Sequence, residues 1–381
     1  MGRHLSSEVF SVLQLHAISE LLFPHLKTLE WWGAARKSIP FIPLFLSPRT
    51  TTITIAFIPY YSPAAMVAPM VTAFPTLCPN LQEITFIFTP RDLIITAAVS
   101  GMLLVSNRDT LQCFDADSPL TEEACEVIFK LPNLRELSVI IERDTSLPSA
   151  VLPNLTTLIL EYDRDGGWLP MFHGATFGKL KAVTFSSKSE SIGDFLEAFG
   201  RVAFVTSIQN TLTQFHLYAS CSQNQNYSPL LLFTQLTEVI IEFSCIDGCS
   251  SRVDGDIIGL ARAVPKLKTL RLGSPPCREI PIGVTAKGLM VLANHYPDLC
   301  DLQIHFQVAS LITPPAIYGM TSNISSTALR RDCALRDLNV GDIPILDESV
   351  SMVALTLTRI FPHLERINYV DNSEIGRKLW M

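Results

Sequence analysis

Pro265-Lys266-Leu267-Lys268-Thr269-Leu270-Arg271-Leu272 places a proline, a leucine two positions later, and then apolar residues at alternate places. The same phrase, Pro-x-Leu-x-x-Φ-x-Φ with Φ apolar, runs from Pro24 to Trp31, Pro79 to Phe86, Pro132 to Val139, Pro153 to Leu160, Pro297 to Ile304 and Pro362 to Tyr369. Internal repetition has to be weighed before any single residue, because it changes what each residue means. Relaxing the proline adds phrases led by Leu111, Leu180, Leu212, Leu236 and Leu335, and a degenerate one, Ile53-Thr54-Ile55-Ala56-Phe57. The leading positions recur at a mean step of roughly 28 residues, within the leucine-rich-repeat range.

Each phrase alternates as a half-buried strand does, with Leu137 and Val139, or Leu270 and Leu272, facing inward. The proline fixes φ and removes a donor, so it ends one element just before the strand begins. Upstream of several strands a capping oxygen precedes apolar residues at helical spacing. Thr121-Glu122-Glu123 leads to Val127, Ile128 and Leu131, and Asp256 leads to Ile257, Leu260, Ala261 and Val264. Thr285 stands before Leu289 and Leu292, and Asp347 before Val350, Val353, Leu357 and Ile360. One repeat is thus helix, proline, strand, loop.

Such a unit cannot bury its apolar face alone, so units stack. The predicted fold is an α/β leucine-rich-repeat-like solenoid, with parallel strands on the concave face and helices on the convex face. Its expected extent is residues 20–371, in about 13 irregular repeats. Residues 1–19 form a helical lead-in or remnant, and residues 372–381 a C-terminal tail.

A hydrophobic content of 48% with 17% charged residues indicates a folded chain. The net charge of −7 works against general attraction to nucleic acid or to an anionic membrane, since both need a basic surface. Nine scattered cysteines read as small buried hydrophobes in a reducing compartment, hence a cytoplasmic or nuclear setting. The start of the chain does not read as a secretory signal. Ile55 to Phe74 is apolar but interrupted by Pro59, Pro63 and Pro69, and Leu93 to Val105 is too short to span a bilayer. Asn154, Asn226 and Asn323 head glycosylation sequons that carry little weight without a signal.

The common catalytic and phosphate-binding motifs are missing from the sequence, so no enzyme activity and no cofactor are expected. Cys245 and Cys249 lack the two further ligands that zinc needs, and Asp247, Asp254 and Asp256 lack the pattern of a calcium loop. Met1-Gly2 with Ser6 matches only the loose myristoylation pattern.

The outward strand positions carry more information. They read Glu30, Glu83, Glu136, Glu161, Glu238, Glu242, Asp301 and Asp337 against Arg271 and Arg366, with Gln214, His216, Tyr218, Gln303 and His305 interspersed. This excess of acid predicts that the concave face receives a basic segment of a partner protein, through complementary charge and a few aromatic anchors. The residues expected to carry it are Glu136, Glu161, His216, Tyr218, Glu238, Glu242, Arg271, Asp301, Gln303 and His305. The bland reading is that these are solvated strand positions in an acidic protein.

Leu22-Phe23-Pro24-His25-Leu26-Lys27-Thr28-Leu29-Glu30-Trp31, followed by Phe41-Ile42-Pro43-Leu44-Phe45-Leu46-Ser47-Pro48, resembles the region just after the F-box in the F-box, leucine-rich-repeat-like family of mushroom-forming fungi. Leu335 to Ile345, leading on to Ile360-Phe361-Pro362-His363-Leu364, looks like that family's closing repeats. The resemblance implies a substrate receptor of an SCF-type ubiquitin ligase, whose F-box docks on a Skp-type linker while the solenoid holds the protein to be ubiquitinated. An F-box does not align to Leu5 to Leu22, so linker binding is expected only if one lies upstream. The alternative is a leucine-rich-repeat scaffold or regulator unrelated to ubiquitin.

Overall fold

The computed structural model describes residues 9, 12–13, 22–34, 38–57, 64–87, 107–120, 122–141, 151–162, 176–191, 195–196, 199, 208–220, 227–244, 254–273, 284–304, 306, 308–312, 333–341 and 347–369. The chain divides into two compact units, Met1–Leu180 and Lys181–Met381.

In the first unit the strands are β1 (Thr28–Ala34), β2 (Thr52–Phe57), β3 (Glu83–Ile87), β4 (Cys113–Leu120), β5 (Glu136–Ile141), β6 (Val151–Leu152), β7 (Thr157–Tyr162) and β8 (Thr176–Phe177). Strands β1 to β5 and β7 lie side by side in chain order, all parallel, and β6 pairs with β8 apart from them. In the second unit β9 (Ala182–Ser191), β10 (Gln214–Ser220), β11 (Glu238–Ser244), β12 (Thr269–Leu272), β13 (Asp301–Ile304), β14 (Asp337–Gly341) and β15 (Arg366–Tyr369) are likewise parallel and in chain order. Every repeated phrase carries one of these main strands, beginning two residues after its leading position. Each unit is a parallel α/β assembly, and the described links carry α-helices before β3, β5 and β12 to β15 and 3-10 turns before β2 and β11.

The alternation works as its spacing suggests. Leu137 and Val139, and Leu270 and Leu272, are buried, and the leading leucines from Leu81 through Leu335 are at most 1% exposed. Leu26 and Leu364, on the outermost strands, are only half-buried. In the degenerate second phrase Thr50 takes the leucine's place and is fully buried. Its Oγ1 donates to the Leu26 carbonyl at 3.0 Å and accepts from the Ser47 N–H at 3.1 Å, so the hydroxyl is satisfied and the position tolerates it.

Successive rungs are joined by a regular device. The carbonyl of the residue just before most strands accepts two N–H groups from the next rung. Lys27 O takes Thr51 N and Thr52 N, Gln112 O takes Arg135 N and Glu136 N, and Thr237 O takes Lys268 N and Thr269 N. Asparagines after the proline add a side-chain link in the first unit. Asn80 donates to Pro48 O (3.3 Å), Asn133 to Asp109 O (2.7 Å) and Asn154 to Pro132 O (2.9 Å). The Asn154 amide is therefore engaged in the fold.

The helices are Ala64–Leu77, Glu122–Ile128, Asp254–Ala263, Ala286–His295, Val308–Ile312 and Asp347–Ile360, with 3-10 turns at Ile39–Phe45 and Ser228–Leu232. Thr285 caps its helix as expected, accepting from Lys287 N at 3.2 Å. Asp256 lies inside its helix instead of at its start. The helix already begins at Asp254, whose carboxylate accepts from Thr285 N (2.9 Å) and Thr285 Oγ1 (2.5 Å) and so ties two helix starts together. Gly288 makes room for this, because a Cβ there would lie 2.4 Å from Val284 Cγ1 and 2.6 Å from Asp254 Oδ1. After β12 the chain turns at Gly273, whose φ of 113° suits glycine alone. In the second unit the inward face packs on aromatic rings: Phe199 meets Phe185, Phe215 and Phe233 at centroid distances of 5.8, 5.4 and 5.6 Å. Among the described residues no helix is long and apolar enough to cross a membrane.

Candidate functional site

Because side chains alternate on a strand, fixing the leucines inward fixes the intervening residues outward, in rows that run across neighbouring strands. In the second unit one row is Gln214, Glu238, Thr269, Asp301, Asp337 and Arg366, and the next is His216, Ile240, Arg271, Gln303, Asn339 and Asn368. Tyr218 stands opposite Glu242 in a third. Expected site residues His216, Tyr218, Glu238, Glu242, Arg271, Asp301 and Gln303 therefore share one face. His305 lies outside the described residues, as do Cys245 and Cys249, Asp247, Met1-Gly2 and Ser6, Leu93 to Val105, Asn226 and Asn323, and residues 372–381.

Much of that face is already paired. Glu238 accepts from Gln214 Nε2 at 3.1 Å, directly across the ladder, and meets His216 Nε2 diagonally at 3.0 Å. Arg271 grips Asp301 Oδ2 through Nε (3.0 Å) and a terminal nitrogen (2.5 Å). Arg366 holds both oxygens of Asp337, at 2.6 and 3.0 Å. Gln303 donates to Gly273 O (3.3 Å) and accepts from Asn339 Nδ2 (3.4 Å). Both arginines read as the basic minority of the face are thus committed to acids. The hydrogen bond to Asp301 raises the pKa of Arg271, and the charges of Asp301, Glu242 and Glu238 add to it against burial. Burial, then Glu242, raises that of Tyr218, with Arg271 opposing and Glu238 adding.

The first unit is different. Its main strands carry Glu30, Glu83, Asp115, Asp117, Glu136 and Glu161 and no lysine, arginine or histidine. Glu83, Cys113 and Glu136 form one row, and Thr85, Asp115 and Ser138 the row beside it. Glu83 accepts from Thr52 Oγ1 at 3.2 Å and Glu136 from the Cys113 thiol at 3.9 Å. Burial, followed by Glu136, Glu83 and Asp115, pushes the Cys113 thiol up to about 12. Burial raises the Asp115 carboxyl as well, against a lowering hydrogen bond from Ser138. Of the expected site residues, Glu136 and Glu161 belong here. Sequence reading passed over Cys113 and Asp115, although the phrase led by Leu111 puts both at outward offsets.

Among the described residues no three of His, Cys, Asp or Glu come together as metal ligands. The described cysteines are free thiols: Cys78, Cys125 and Cys333 are buried, Cys113 half-buried and Cys300 exposed. No protein-family model matches the chain, and no curated protein matches it.

Proposed function

We propose that the chain is a non-enzymatic protein-binding module, folded as a leucine-rich-repeat-like solenoid whose outward strand rows form the binding face. The observation that carries this reading is the in-register array of outward polar side chains, displayed strand after strand on parallel β-structure. Strands held by a buried apolar layer present such side chains rigidly, which lowers the ordering cost of binding a polypeptide. By its resemblance to the F-box, leucine-rich-repeat-like family, the module serves as the substrate-receiving part of an SCF-type ligase.

A photo-crosslinking side chain placed at Ser138 or at His216 in the full chain tests the binding face. The expected result is a discrete protein adduct from at least one of these positions and none from Met352 or Leu355, which are exposed on the helix Asp347–Ile360. Adducts from the helix alone overturn the reading. Ubiquitin-dependent turnover of the crosslinked partner distinguishes a ligase receptor from a scaffold.

A further inference from the structure

We infer that the outward face of the first unit, centred on Glu83, Asp115 and Glu136 with Trp32 and Ile159 as apolar contacts, is the docking surface for a basic segment of another protein in which lysine or arginine alternates with apolar residues. This rests on the protein-binding reading and says which surface takes the partner and with what chemistry.

The first argument is charge complementarity without internal competition. In the second unit the arginines on the outward face are held by Asp301 and Asp337. A cation arriving at Asp301 or Asp337 would have to displace an arginine. The six main strands of the first unit supply no base to do that pairing. Their carboxylates are satisfied by neutral donors where the donors are seen, Thr52 for Glu83 and the Cys113 thiol for Glu136. Among the described residues no lysine or arginine pairs with Glu83, Asp115 or Glu136. Burial chiefly, and then Glu136, Glu83 and Asp115, raise the pKa of the Cys113 thiol that lies between them.

Apolar contact surface supplies the second argument. Trp32 is 63% exposed, and its Nε1 donates to Glu30 Oε2 at 3.3 Å, so the indole lies over the outward side of β1. An arginine stacked there would gain both the ring face and the Glu30 carboxylate. Ile159, 38% exposed, is opposite Ser138 in the next row of strands. Glu83 and Glu136 lie in one row two strands apart, about 9.6 Å at about 4.8 Å per strand, with Asp115 one row over on the strand between.

The test measures anisotropy of a fluorescein-labelled peptide of alternating lysine and leucine on the full chain, beside the same peptide with glutamate for lysine. The basic peptide should bind and the acidic one should not, and binding should fall steeply as salt rises above about 0.1 M. Glu83→Gln with Glu136→Gln should weaken binding about tenfold, since each exposed charge contact is worth up to about fivefold. Trp32→Ala should cost about threefold more. Asp301→Asn with Asp337→Asn, whose carboxylates are already held by arginines, should stay within about twofold of the parent. A basic peptide that does not bind, or an equal loss from both pairs, overturns the inference. Loss from the second pair alone overturns it too, yet leaves the protein-binding reading standing, since crosslinking judges that separately. Unchanged circular dichroism of the glutamine and asparagine variants ties any loss to charge.

Discussion

The two units use one strand grammar and differ in how their outward charges are paired. In both, a leading apolar residue and alternating apolar positions bury one side of parallel strands. On the other side the second unit pairs Arg271 with Asp301 and Arg366 with Asp337, while the first gathers carboxylates around Cys113 without a base on its strands. A count of acids and bases along the chain averages over the two and hides the contrast. Pairing decides which charge is available to a partner.

The largest expected effects ask whether the likeness of the two buried sides is real. Leu137→Ala in the first unit and Leu270→Ala in the second should each lower stability by about 3 kcal/mol, measured by urea denaturation. A clear inequality would extend the contrast into the core. Gly288→Ala should cost about 2 kcal/mol, because the new methyl collides with Val284 and with Asp254. If it is neutral, the tie between Asp254 and Thr285 is not a fixed feature of the second unit.

Smaller effects should differ in sign between the faces. Asp301→Asn removes the charge that Arg271 grips, and with both groups partly solvated the loss should be about 1 kcal/mol. Asp115→Asn removes a charge that burial disfavours and can keep the hydrogen bond with Ser138, so it should gain a few tenths of a kcal/mol. Equal signs in thermal melts would remove the comparison.

Alkaline pH sharpens it further. Cys78 is pushed up to about 11, and Cys113 and Cys125 to about 12, from 9.0, in each case chiefly by burial. A thiol with a higher pKa folded than unfolded favours the folded state fully below the unfolded value. That contribution is lost as pH rises from 9.0 towards 11 to 12, since the unfolded thiol ionises first. Burial also raises Cys333 in the second unit. With three such thiols in the first unit, limited proteolysis across this range should open it first. Earlier cleavage in the second would break the contrast.

Strand placement was legible because each phrase encodes it locally: a stop, an anchor and a period of two. Helix starts were less so. Thr285 caps as read, whereas the helix expected to start after Asp256 already begins at Asp254, whose carboxylate is spent on Thr285, thirty-one positions away. The asparagine links at Asn80, Asn133 and Asn154 were visible as Pro-Asn-Leu but acquire meaning only against the carbonyls of the preceding rung.

The sequence by itself determined which residues become strands and which of their side chains face away from the apolar layer, since both follow from spacing within a few residues. Only the tertiary structure decided which outward charges meet. Arg271 reaches Asp301 diagonally and Glu238 takes both Gln214 and His216, choices set by the register between strands joined through distant segments. Charge pairing falls off steeply with distance, so the electrostatic character of each face is fixed by packing and not by composition.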